Sequence, residues 1–326
     1  MKTRSVTPST DLSESDLQPM SLPLFDTHAH LVTNDWKAYP PKALRPDLPE
    51  PKRPDYTVTA EALIEMMDAR GVAEAAVVQR GHLYGYDNSY ILDSAEKYAG
   101  RLHPVVILDA QDPATPALYR ELVHNRGVRG FRLAGLRPWF LDTAWMSSPQ
   151  AMEMWKTCAE LGTPVTLLFF MNQLPYMLPL LKLIAEQFPD LPILLDHGGM
   201  PYGMTQYEVG LAKEAGREVA LPRAPHFGID TTIGLFEDVS NVYFKITEIN
   251  MERFEAEGVR AAHVVRRMVD AFGPERLTWG SDVGQSMLWD YEEKTAMARA
   301  AADFLTGEEA RRFLHDNAAA VYAKGA

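Results

Sequence analysis

Eight short runs rich in apolar and β-branched residues recur along this 326-residue chain, and stretches with helical periodicity separate them. The runs are PLFDTHA near 23–29, EAAVVQR at 74–80, LHPVVILD at 102–109, VRGFRL at 128–133, PVTLLFF at 164–170, LPILLDH at 191–197, NVYFKIT at 241–247 and RLTWGSD at 276–282. Strands that alternate with helices join by right-handed crossovers into a parallel sheet. Eight such units at this length fit a closed α/β (β/α)8 barrel better than an open doubly wound sheet. The G-x-G-x-x-G turn that a nucleotide-binding open sheet carries after its first strand is missing.

Punctuation supports the helices. TAEALIEMMDARG, residues 59–71, opens on Thr59 as an N-cap, without the acidic residue of a capping box, and closes on Gly71. NSYILDSAEKYAG, TPALYRELVHNRG and SPQAMEMWKTCAELG each end in glycine as well, and two more helices are expected near 290–305 and 307–323. Residues 1–21 read as a polar N-terminal arm and residues 22–326 as one barrel domain. Two insertions break the rhythm: the proline-rich stretch 31–58 and the stretch 198–228. They follow the first and sixth strands, so on a barrel both lie over the C-terminal face, where long loops form lids and substrate walls.

Composition narrows the function. With 46% hydrophobic residues the chain can bury a large core. A net charge of -12 argues against nucleic acid and anionic membranes as partners. One cysteine, Cys158, excludes an internal disulfide framework. The N-terminal stretch lacks the apolar core of a signal peptide, and no run approaches a membrane span, so a cytoplasmic protein is expected.

On a barrel, reactive groups belong at the C-terminal ends of strands. LFDTHAH places Asp26, His28 and His30 at alternate positions of the first strand, which aims all three one way. His197 ends the sixth strand and Asp282 the eighth, and the first and eighth strands are neighbours in a closed barrel. Two imidazoles at i and i+2, a third imidazole and a carboxylate can hold a divalent ion. The same four groups can work without metal, the imidazoles polarising a carbonyl and the carboxylate acting as general base. His103, at the start of its strand, belongs to the opposite, structural face. His124, His263 and His315 fall in helical patterns. His82 and His226 lie in loops after strands, where they can line a pocket.

Arg132 and Arg137 stand at and after the end of the fourth strand, where a guanidinium can clamp a carboxylate. Arg80 ends the second strand and is expected in a salt bridge to one of the many acids. Lys245 on the seventh strand needs a buried partner, and Asp282 on the adjacent strand is the expected one.

Taken together, DTHAH, GVRGFRL, LLDHGGMP, NVYFKIT, and RLTWGSD followed by LHDNAAAVY resemble the amidohydrolase-related (type 2) family of TIM-barrel enzymes over nearly the whole chain from about residue 24. The segment VVQRGHLYGYDNSYILDSAEKYAGRLHPVVILD resembles its branch of 2-pyrone-4,6-dicarboxylate and sugar-acid lactonases. The resemblance implies that His28, His30, His197 and Asp282 are the catalytic set, and the ligand set if a metal is present. Metal-using relatives add a fifth-strand histidine, where this chain offers Phe169, Phe170, Met171 or Asn172. That departure favours no cofactor over one divalent metal, zinc or similar. The implied activity is hydrolysis of a lactone-type bond in a small carboxylated substrate, with Asp282 activating water and the three histidines stabilising the oxyanion. Arg132, Arg137 and Arg223 would bind the substrate carboxylate, with His82, Tyr84 and His226 around them and Asp26 and Lys245 behind. The alternatives are a zinc-dependent decarboxylase of an unsaturated or aromatic carboxylate, and a non-catalytic binding barrel. Relatives of this kind commonly form homodimers.

Overall fold

The computed structural model describes residues 22–45, 47–134, 142–170, 173–200, 213–214, 216 and 222–323. The N-terminal arm, 1–21, lies outside them. Each of the eight expected runs forms a strand: β1 Leu24–Ala29, β2 Val72–Val78, β3 Leu102–Val106, β4 Gly130–Ala134, β5 Val165–Leu168, β6 Ile193–Leu195, β7 Val242–Thr247 and β8 Leu277–Gly280. They lie side by side in chain order, and every ladder from β1–β2 to β7–β8 is parallel. The seam between β8 and β1 is sewn at its C-terminal end. There Asp282 N donates to His28 O at 2.7 Å and His30 N donates to Val283 O at 2.8 Å. Lower down, Thr27 Oγ1 donates to Trp279 O at 2.6 Å. A Cβ on Gly280 would stand 2.7 Å from that of His28, so the close approach of the two strands requires glycine there. The result is the expected TIM barrel.

The helices keep their punctuation. Thr59 Oγ1 accepts from Ala62 N at 3.2 Å, and Gly71, at φ 69°, ends the helix Ala60–Arg70 with its N–H on Met67 O. The helix Ser89–Lys97 stops earlier than its glycine suggested, with Tyr98 as its cap. The floor of the barrel is apolar. Phe25 packs with Ala76, Val78, Val105 and Leu194, and the terminal helix Asn317–Ala323 closes over them through Ala318, Val321 and Tyr322. Phe25 is stacked between Tyr322 and His103, at ring separations of 5.7 and 5.4 Å. His103 therefore belongs to the stability end, as its position on the strand indicated. With the floor plugged, polar groups collect at the opposite rim. Among the described residues no helix is long and apolar enough to cross a membrane.

The loop after β1 is tied down from several sides. Val32 and Val58 form an antiparallel bridge, Lys42 N donates to Leu83 O at 3.0 Å, and Tyr56 Oη donates to Gly284 O at 3.1 Å. Most of the loop after β6 lies outside the described residues.

Candidate active site

The end of β1 does not keep a simple alternation. Its pairing to β2 slips between Asp26 and Ala29, and this separates Asp26 from the two histidines. Asp26 does not aim the way His28 and His30 do, contrary to the period-2 expectation. Its Oδ1 accepts from Ser281 N (2.8 Å) and His28 N (3.1 Å), and its Oδ2 from Ser281 Oγ (2.5 Å) and Tyr291 Oη (3.1 Å). Burial pushes this carboxyl up, against the pull of those four donors. Asp26 thus fixes the backbone on either side of the site, at His28 N and Ser281 N.

His28 and His30 face each other edge-on with ring centres 4.8 Å apart. His30 Nδ1 lies 2.7 Å from Val78 O. A carbonyl only accepts, so Nδ1 carries the proton and Nε2 a lone pair. His28 Nδ1 lies 3.2 Å from Asp196 Oδ1, the nearer of its two carboxylates, so its proton belongs there. Both Nε2 atoms then point lone pairs at Asp282 Oδ1, at 3.5 Å from His28 and 3.4 Å from His30. Burial holds His28 down to about 4 and His30 well below the usual imidazole range, so both are neutral near pH 7.

β6 ends in D-H-G-G, and three successive residues there take left-handed backbone: His197 at φ 53°, Gly198 at 65° and Gly199 at 60°. Such a path is costly for a side-chain-bearing residue, and the two glycines carry most of it. It turns His197 into the mouth. Its Nδ1 is 2.7 Å from Thr247 Oγ1, and Thr247 Oγ1 in turn reaches Asn250 Oδ1 at 3.2 Å. An amide oxygen only accepts, so the threonine donates onward and accepts from His197 Nδ1–H, leaving the lone pair on Nε2. Asn250 Nδ2 also donates to His197 O at 3.0 Å. Burial pulls His197 to about 4 as well. Its ring centre lies 5.6 Å from that of His28.

Asp282 is the second non-glycine residue at the rim in left-handed backbone, at φ 52°. Its carbonyl accepts from Gln285 N (3.2 Å) and Ser286 N (2.9 Å), which holds the turn. Gly284, at φ 82°, passes so close to β1 that a Cβ would stand 2.2 Å from His30 O. Lys294 braces this turn from behind, donating to Ser281 O at 3.1 Å and Ser286 O at 2.8 Å, with Glu248 as its counter-ion at 3.4 Å.

The donor set can be tested for a divalent cation. Each of His28, His30 and Asp282 offers one ligand atom, all within 4.8 Å of one another and all buried. His28 Nε2 and both Asp282 oxygens have no hydrogen-bond partner among the described residues. Buried acceptors that converge with no donor between them are costly, and a cation is what such a set accommodates. The residues fit one.

The basic residues are arranged differently from expectation. Lys245 pairs with Asp196 Oδ1 at 3.2 Å, not with Asp282. The register explains this: Leu195 stands opposite Phe244, so the next residues, Asp196 and Lys245, meet, whereas Lys245 stands opposite Thr278, four residues short of Asp282. Arg132 also serves Asp196, with Nε and Nη2 at 3.0 and 2.9 Å from Oδ2. These charges hold the Asp196 carboxyl well below its ordinary range in spite of its burial. Arg80 has no acidic partner among the described residues, in contrast to the salt bridge expected for it. Its Nε donates to Gln285 Oε1 at 2.8 Å and its guanidinium lies 5.7 Å from the Tyr56 ring centre.

The remaining expected pocket residues scatter. Tyr84 is buried, with its hydroxyl accepting from Thr33 N at 2.9 Å and its ring beside Trp36 and Tyr90, so it supports the loop after β1. His82 lies edge-on to Phe170, with ring centres 6.1 Å apart. Arg223 and His226 are exposed and face Glu257 and Asp230. Arg137, Met171 and Asn172 lie outside the described residues. Sequence reasoning missed Asp196, Thr247, Asn250, Gln285 and Lys294. Only Asp196 carried a signal, as an acid directly before His197 at a strand end.

The family model described as Amidohydrolase matches residues 25–324. The chain is 28% identical over 318 residues to 4-sulfomuconolactone hydrolase of Hydrogenophaga intermedia, covering 93% of this chain and 90% of that protein. To L-fucono-1,5-lactonase of Burkholderia ambifaria it is 26% identical over 257 residues, covering 76% and 79%. The fold is also that of a probable 2-pyrone-4,6-dicarboxylic acid hydrolase from Acinetobacter baumannii, crystallised with citric acid. The TM-score is 0.65 at 17% identity, over 93% of this chain and all of that one.

Proposed function

The chain belongs to the amidohydrolase family, and from that premise we propose that it hydrolyses a lactone-type ester bond in a small carboxylated compound. The observation that carries the reading is the buried convergence of Asp282 with His28 and His30 at the rim between β8 and β1. Lactone hydrolases among its relatives support the reaction class. Asp282 takes one proton from a water whose oxygen bonds to the lactone carbonyl carbon. When the ring C–O bond breaks, the departing oxygen receives that proton back from the Asp282 carboxyl, and a hydroxy acid results. His197, locked by Thr247 and Asn250, orients what lies beside Asp282.

In the tautomers described, His28 and His30 offer lone pairs rather than protons, so they cannot stabilise an oxyanion by donating to it. This supports a divalent ion in place of the metal-free form that the sequence favoured. His28, His30 and Asp282 would hold it, with His197 alongside. Such an ion supplies Lewis-acid polarisation of the carbonyl.

A panel of γ- and δ-lactones, followed in a pH-stat, tests the reaction: ring opening releases one proton per turnover. Hydrolysis lost on chelation and restored by zinc or manganese is the expected outcome. Release of carbon dioxide from an unsaturated or aromatic carboxylate, with no lactone opened, would assign a decarboxylase instead.

A further inference from the structure

We propose that Arg80 is the residue that reads an anionic substituent of the substrate. The guanidinium is anchored but not neutralised. Nε is committed to Gln285 Oε1, and the plane rests near Tyr56, whose hydroxyl is in turn committed to Gly284 O. Nη1 is buried and has no hydrogen-bond partner among the described residues.

Its position places it over the reacting centre. Arg80 follows the end of β2, and Gln285 belongs to the turn after β8 that carries Asp282. β1 lies between those two strands, so the Arg80–Gln285 bond crosses above the end of β1, where His30 stands.

Charge points the same way. Lys245 and Arg132 share Asp196, and Arg80 has no acidic partner among the described residues. A buried N–H without an acceptor is costly, and a planar or tetrahedral oxyanion supplies the acceptor and the charge together. The substrate class is therefore a lactone bearing a carboxylate or sulfonate beside its reacting carbonyl. Arg132, which sequence reasoning expected to clamp that group, commits Nε and Nη2 to Asp196.

The catalytic arm of the test rests on the lactone-hydrolase reading; the binding arm does not. In the first arm, kcat/KM is compared between a δ-lactone carrying a ring carboxylate or sulfonate and the unsubstituted ring. The full-length protein is expected to prefer the charged member. In Arg80→Gln that preference should fall by roughly 10- to 100-fold, mostly through KM, and Arg80→Lys should recover part of it. In the second arm, calorimetry with isophthalate and with its uncharged diamide reports anion binding without turnover. Arg80→Gln should weaken isophthalate by at least about ten-fold. A preference and an isophthalate affinity unchanged in both variants would overturn the proposal, as would a wild-type protein indifferent to the charge. Should no lactone be opened while Arg80→Gln still loses isophthalate, the reaction class fails and the anion site stands.

Discussion

Asp196, just past the end of β6, gathers the buried charges of the rim: Lys245 comes from β7 and Arg132 from β4 to pair with it. Removing its charge would leave two buried cations uncompensated, so Asp196→Asn should lower the unfolding free energy by about 3–5 kcal/mol, measured by urea denaturation. A loss below ~1 kcal/mol would show that the cations find other partners. The imidazoles give a pH dependence of definite sign. His28 and His197 hold near 4 in the folded protein against 6.5 for an ordinary imidazole. Above pH 6.5 both states are neutral and the stability is whole. Between pH 6.5 and 4 the unfolded chain takes up protons that the folded one refuses, so stability falls as the pH falls. The thermal midpoint of metal-free protein should therefore drop across that window, and a flat profile from 7 to 4.5 would contradict neutral burial.

At the scale of elements, strand existence and order were legible because eight apolar runs alternate with capped helices. His28, His30, His197 and Asp282 were legible because strand ends of a barrel share one rim. The slip in β1 was not, since a one-residue irregularity leaves no mark on composition, and so strict alternation aims Asp26 the wrong way. The seam between β8 and β1 depends on two glycines that sequence reasoning passed over. Gly284→Ala would drive a methyl group into His30 O while the backbone holds φ 82°, so it should destabilise the fold by about 2 kcal/mol or more and disturb His30. Chemical denaturation with an assay on the surviving folded fraction checks both. A variant with unchanged stability and activity would mean that the turn relaxes without carrying His30 with it. Lys294 belongs to the same device: buried behind the turn, it donates to the carbonyls of Ser281 and Ser286 on either side of Asp282.

The whole molecule divides its labour between the two ends of the barrel. The floor is sealed by Phe25, Tyr322 and the terminal helix, and the rim gathers buried polar groups whose backbone and hydrogen-bonding options are strained. A rim group whose buried polar atoms lack partners is held against the preference of the fold, so altering it should cost activity rather than stability. Asp282 is the sharpest instance, because its carboxylate oxygens face lone pairs with no donor among the described residues. An amide in its place can donate to an imidazole Nε2, which should leave the metal-free protein as stable as before or more so. The decisive measurement is kcat/KM of Asp282→Asn on a lactone that the wild-type protein opens, with the thermal midpoint recorded on the same metal-free sample. We predict a fall of roughly 100- to 10,000-fold for loss of the general base, with the midpoint equal to or above that of wild type. Turnover within ten-fold of wild type, or an unfolded variant, would contradict the role assigned to Asp282.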